Sequence, residues 1–249
     1  MATASPTVLD GVKSLAIDGF GCCFPAPEDF DPSGSMLATL TRLGIKHDTE
    51  AALRIYKTLE HLLYRGMIPT NQMFWQLVLC HLEITSTREL IDELAQAELR
   101  HYNFPGIALY DGVSEFMKWA RSGSFRTILW SNATWTGWET EMSLGLPELF
   151  VGRAISCLNN YVKNPRSGEK SLLGWTVEHF RIRIPSEELV VVDDQLAHLR
   201  RAQRELDCRT VLVCNGRPAP TFNEGDFRPT LIVDRLADLQ GHLPSRAVR

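Results

Sequence analysis

The sequence predicts an α/β fold: a parallel sheet with helices on both faces, interrupted early by an all-helical insertion. Three observations predict it. Short apolar runs at 14–17, 126–130 and 188–192 each stop on a polar pair, Asp18-Gly19, Ser131-Asn132 and Asp193-Asp194, as a buried strand does when it ends in a turn. After Pro105-Gly106 such runs alternate with helical segments. From Ser35 to about 103 no strand-like alternation appears, only leucines and aromatics at helical spacing.

In chain order, SLAI at 14–17 is the first strand and the Pro-, Asp-, Gly- and Ser-rich stretch 25–34 is a linker. The insertion carries Leu37, Leu40 and Leu43, then Leu53, Tyr56, Leu59, Leu62 and Leu63, then Phe74, Leu77, Val78 and His81, then Leu90, Leu94 and Ala97. Thr70 and Ser86 are candidate N-caps, the latter with Glu89 three residues on. Next come a helix at 112–121, the strand 126–130, a weaker strand at 154–157 and a helix at 171–180. The β-branched run 188–192, a helix at 196–206, a strand at 210–214 and a short strand at 231–233 follow, before a tail, 243–249, that is expected to fray. This divides the chain into a core of residues 1–25 and 105–249 and a helical unit of residues 26–104.

With 249 residues, 44% hydrophobic and 22% charged, the chain has an ordinary globular composition. A formal net charge of −4 argues against a nucleic-acid partner. No apolar run reaches the roughly 18–20 residues of a membrane helix, and the N-terminus carries no basic start followed by an apolar block. The six cysteines lack metal-ligand spacing and no CxxC occurs. Reduced thiols, mostly in the core, in a cytoplasmic protein are the expectation. The expected partner is a small molecule, with neither nucleic acid nor membrane, and the chain is expected to be a monomer or homodimer.

Parallel strands joined by right-handed crossovers place their C-terminal ends on one rim, where ligands of open α/β sheets bind. Asp18, Ser131 and Asp193-Asp194 each follow a predicted strand, so neighbouring strands would bring them together. Taken singly, a DG pair is a common turn, an acidic pair often caps a helix, and a lysine at a helix start is usually solvated.

In order, LAIDGFG, TILWSNAT, a lysine heading a helix and ELVVVDD resemble the four motifs of the haloacid dehalogenase superfamily. The resemblance covers nearly the whole chain and implies a Rossmann-like core with a C1-type helical cap inserted after the first strand. It implies that Asp18 is a nucleophile attacking phosphorus or carbon. Mg²⁺ would be bound by Asp18, Asp193 and the Phe20 backbone carbonyl, with Asp194 acting through water. Ser131, with Asn132 and the backbone beside it, would contact the transferring group, and a lysine would hold Asp18 ionised. Lys170 fits the family spacing of one helix before the fourth motif. Lys163, in YVKNP, is the reserve, since it needs an insertion of about two helical turns at 3.6 residues per turn.

The first motif departs from the pattern. The phosphatase branches carry a second aspartate, the acid–base group, where Phe20 stands, and a threonine where Cys22 stands. The dehalogenase branch has D-x-Y-G, close to Asp18-Gly19-Phe20-Gly21, and needs no leaving-group proton; Arg42 is its candidate for holding a substrate carboxylate. Asp193-Asp194 is the metal-binding version of the fourth motif and favours phosphoryl hydrolysis or transfer on a small phosphorylated metabolite. 2-Haloacid dehalogenation by Asp18 is the alternative, and a catalytically degenerate binding module the second. The tryptophans read as packing, His198 as a helix-surface residue, and the charged run 200–205 as a solvated face.

Overall fold

The computed structural model describes residues 8–26, 30–102, 106–183 and 187–244. The expected turn residue Pro105, Pro185 before the fourth strand, and most of the expected frayed tail lie outside them. Strands β1 (Ser14–Ile17), β2 (Arg126–Ser131), β3 (Gly152–Ile155), β4 (Leu189–Asp193), β5 (Arg209–Val213) and β6 (Leu231–Val233) form one sheet. Its order is β3-β2-β1-β4-β5-β6 and every pairing is parallel.

The sheet is buried on both faces, which explains the continuous apolar reading of its strands. Ile17, Leu129, Val190 and Val192 face one core layer, and Ala16, Ile128, Trp130 and Val191 face the other. The chain moves one way from β1 through β2 to β3 and the other way from β4 to β6. Ile17 is level with Leu129 and Val192, so the residue after β1 emerges between the ends of β2 and β4, where the strand order reverses.

Five helices lie between β1 and β2, and the first four form the inserted unit: α1 (Pro32–Arg42), α2 (Thr49–Tyr64), α3 (Asn71–His81) and α4 (Arg88–Tyr102). They enclose their own core, in which Tyr56, Phe74 and Trp75 meet with ring centroids 4.9–5.8 Å apart. Asp48 and Thr70 cap α2 and α3 by accepting the N–H of Ala51 and Met73. Helix α1 starts earlier than the linker reading of 25–34 implied. Asp31 caps it, and Pro32 occupies the first helical position, where its missing N–H costs nothing. At α4 the N–H of Leu90 donates to Thr87 rather than to Ser86.

The core helices are α5 (Val113–Ser122), α6 (Trp135–Ser143), α7 (Ser156–Asn159), α8 (Leu172–His179) and α9 (Leu196–Leu206). The four-helix unit is fastened to the core by specific bonds. Asn71 donates to Thr136 of α6 at 2.7 Å in a buried contact, and Arg65, just after α2, pairs with Glu169 at 2.9 Å. No helix among the described residues is long and apolar enough to cross a membrane. All six cysteines are free, and five are buried, Cys80 being the exception.

Candidate active site

Asp18 leaves β1 with its N–H donating to Val192 of β4, and its Oδ1 accepts the N–H of Gly19 at 2.8 Å. The lysine beside it is Lys163. Its ammonium is 2.8 Å from Asp18 Oδ1 and 2.7 Å from Asp193 Oδ2, and lies 4.1 Å from the centre of the Trp130 ring. Lys163, Asp18 and Asp193 are all buried. A buried ammonium is tolerated here because two carboxylates and an aromatic face replace its water.

Lys170 is displaced from its expected place. It lies on the surface and pairs with Glu178. Counting back one helix from β4 fails because α7 and α8 are joined by a loop, not a short turn. In that loop Arg166 and Glu169 bond to each other, and Glu169 reaches Arg65, the residue after α2. The insertion that Lys163 requires is therefore a strap between the two units, and Lys163, the reserve candidate, enters the site ahead of it. Asn132 Oδ1 accepts the Lys163 backbone N–H at 3.3 Å, which anchors the start of the loop.

His198 is not on the surface. It is 9% exposed, and its Nδ1 is 3.1–3.2 Å from both Asp193 oxygens. Arg42 pairs with Glu93 on the exterior and does not reach the site. Asp193 is saturated: Oδ1 accepts from Gln195 N–H and faces His198, and Oδ2 takes Lys163. Burial pushes its carboxyl up, but Lys163 and His198 prevail and hold it at about 2. The same carboxylates overcome burial at Lys163 and raise its affinity for its proton. At Asp18 burial dominates and the Asp193 and Asp194 charges add to it, so the carboxyl is raised well above its usual range despite Lys163.

Asp194 is bonded differently. Its Oδ2 accepts from Arg217 at 3.0 Å, whereas its buried Oδ1 has no hydrogen-bond partner among the described residues. Burial and the adjacent Asp193 raise its carboxyl against the pull of Arg217. Gly21 makes room for it. With φ at +79°, a Cβ at Gly21 would fall 2.4 Å from the Asp194 carboxylate. Gly21→Ala is expected to destabilise the fold by at least about 1–2 kcal/mol, the strain of a left-handed backbone alone, as thermal unfolding of the variant would measure.

The Asp18, Asp193 and His198 ligand atoms lie within 4.8 Å of one another, yet the Lys163 ammonium already serves both of those carboxylates. Of the Asp18, Asp193 and Asp194 carboxylates, it is Asp194 that keeps a buried oxygen, Oδ1, without a hydrogen-bond partner among the described residues. Close to the start of the same turn, the Phe20 carbonyl accepts no bond among the described residues. A hard oxygen donor set of this kind suits Mg²⁺, and it ranks Asp194 above Asp193 as a ligand, the reverse of the sequence-based order.

Ser131, at the end of β2, donates its hydroxyl to Glu141 Oε1 at 2.5 Å. Glu141, on α6, is fully buried and forms no ion pair among the described residues. Burial raises its carboxyl to about 7 from an ordinary 4.5. Folding therefore binds a proton between those values, and stability falls as pH rises from about 4.5 to about 7, then levels off. By linkage the span is roughly 3 kcal/mol. Glu141→Gln, which carries no titrating carboxyl, is expected to flatten this part of a denaturation-versus-pH curve and to gain stability above pH 7.

A cavity of about 600 Å³ opens over these groups. Asp18, Ser131, Lys163 and Asp194 lie on its core side. Phe20, Phe30 and Tyr102 form an aromatic wall, with centroids 5.4–6.1 Å apart, and Glu60 and Tyr64 of α2 complete the far side. A wider groove of about 1000 Å³, flanked by Arg100 and His101, adjoins it at Asp194 and Arg217.

No family profile matches the sequence, and no curated protein matches it. Solved structures do match in fold. A HAD family enzyme from Bacteroides thetaiotaomicron superposes with a TM-score of 0.59 at 17% identity, covering 83% of this chain and 96% of that one. A predicted phosphoglycolate phosphatase from Haemophilus somnus gives 0.55 at 14% identity, over 93% and 97%. The L-2-haloacid dehalogenase from Xanthobacter autotrophicus gives 0.50 at 14% identity, over 92% and 96%. The chain thus has the fold of the haloacid dehalogenase superfamily, a Rossmann-like core bearing a helical cap.

Proposed function

We propose that the chain is a hydrolase that removes or transfers the phosphoryl group of a small organic phosphate, with Asp18 as nucleophile. The observation that carries this reading is the pairing of Asp18 with Lys163 beside a buried, unmatched Asp194 oxygen, at a cavity on the ligand-binding rim. Asp18, Asp194 and the Phe20 carbonyl would hold Mg²⁺. When bound, the ion would screen the negative charge of the phosphoryl group and keep Asp18 ionised against its burial. The Bacteroides enzyme has been solved with magnesium and inorganic phosphate.

Lys163 draws negative charge toward the floor of the cavity, and Ser131 and the backbone beside it contact the transferring group. An Asp18 oxygen forms a bond to phosphorus as the ester P–O bond breaks, and water then releases phosphate and restores Asp18. Phe20 joins Phe30 and Tyr102 in enclosing the organic part of the substrate, which favours an apolar or aromatic body. Glu60 would accept a hydrogen bond from a hydroxyl or amino group at its far end.

One observation favours carbon–halogen hydrolysis as a second reading. The charges of Asp18, Asp193 and Asp194 are faced by Lys163 and Arg217, so one net negative charge remains without any metal. A panel of phosphate esters and 2-haloacids, run with Mg²⁺ and with chelator, separates the two. Phosphate release that stops with chelator supports the proposal. Halide release that persists in chelator overturns it.

A further inference from the structure

We infer that Glu141 acts through the Ser131 hydroxyl as the proton store for the leaving group, making Ser131–Glu141 the acid–base pair of the site. The inference rests on the phosphoryl reading above and extends it. Breaking an ester P–O bond leaves an alkoxide that needs a proton, and the attacking water must later lose one. Phe20 can supply neither. Lys163 is committed to Asp18 and Asp193, and His198 holds its Nδ1 against Asp193.

Glu141 has no such commitment. It is fully buried, and among the described residues it has no ion-pair partner, its Oε2 has no hydrogen-bond partner, and its Oε1 meets only the Ser131 hydroxyl, at 2.5 Å. A buried carboxyl with half its bonding capacity unmet is costly to keep. The chain also makes space for it: a Cβ on Gly19, next to Asp18, would fall 2.4 Å from Glu141 Oε1. Ser131 connects it to the reaction, because Ser131 lines the cavity beside Asp18. The raised proton affinity of Glu141 suits a group that must both give and take a proton near neutral pH.

The proton balance closes. As Asp18 bonds to phosphorus and the ester bond breaks, the electron pair goes to the leaving oxygen. That oxygen takes the Ser131 proton, and Ser131 takes the proton of Glu141. When water attacks phosphorus, its proton passes to Ser131 and the Ser131 proton returns to Glu141. The Asp18–phosphorus bond breaks with its electron pair returning to Asp18, and alcohol and phosphate are released.

Only leaving groups that need a proton should depend on this pair. The test compares an alkyl phosphate with 4-nitrophenyl phosphate, whose phenolate departs unaided, in Glu141→Gln, Ser131→Ala, the double variant and His198→Gln. Glu141→Gln is expected to lower the burst or single-turnover rate on the alkyl ester by roughly 10²–10⁴-fold, with less than about tenfold loss on the nitrophenyl ester. The double variant should lose little more than Ser131→Ala alone, because both changes break one path. Should Glu141→Gln fail to fold, Ser131→Ala is read instead: its loss of the phosphoryl contact lowers both esters, and the alkyl ester should lose roughly 10²-fold more than the nitrophenyl ester. Equal loss on both esters, no loss on either, or selectivity appearing in His198→Gln instead would overturn the inference. Turnover surviving in Asp18→Asn would instead show that the phosphoryl reading itself had failed.

Discussion

Replacing Lys163 with methionine is expected to remove activity and to cost the fold about 3–5 kcal/mol, the penalty for leaving buried carboxylates without their partner. Methionine keeps most of the apolar stem against Trp130, so the loss reports the charge rather than packing. Lys170→Met, which breaks only a surface pair with Glu178, should leave both unfolding and turnover unchanged. The acid side of the same network has a defined direction. Asp193 is held at about 2 against an ordinary 3.8. Its stabilising contribution is therefore complete above the ordinary value and lost as pH falls through about 2. Chemical denaturation of the parent protein and both lysine variants from neutral pH down to about 2 measures the stability effects, and a turnover assay at neutral pH measures the activity.

Asp18→Asn carries the second large effect. The amide keeps the shape of the side chain but cannot form a bond to phosphorus, so turnover should fall by roughly 10⁴-fold or more. Stability should move the other way. Burial raises the Asp18 carboxyl well above its usual range, so an ionised Asp18 burdens the fold at neutral pH and a neutral amide relieves part of that burden. An inactive variant with equal or higher thermal stability is the expected pair of results. Inactivity accompanied by unfolding would make Asp18 a structural residue instead.

The sheet and the rim were legible in the chain because buried parallel strands leave a plain signal. SLAI, the run before Ser131, and ELVVVDD end where the structure ends them, to within a residue. Convergence of Asp18, Ser131 and Asp193 followed from strand order. The rest depended on geometry that spacing does not encode. Spacing ranks Lys163 behind Lys170 because counting assumes compact connections, whereas the loop after Lys163 detours to Arg65. Helix α6 went unread because WTGWETEMS has a glycine and no clear apolar stripe, and Glu141 was hidden with it. His198 could have been found: with Leu199, Ala202 and Leu206 it falls on the buried stripe of α9. Arg217 follows β5 with no local signal that it reaches Asp194.

The central claim is that Asp18 bonds covalently to the phosphoryl group. Quenching the protein in acid during turnover of a phosphate ester with Mg²⁺, then mapping its peptides by mass spectrometry, tests that directly. The peptide containing Asp18 should be heavier by one phosphoryl group, located on Asp18 and absent in Asp18→Asn. A turning-over protein with no phosphorylated Asp18, or with the group on another residue, would contradict the claim.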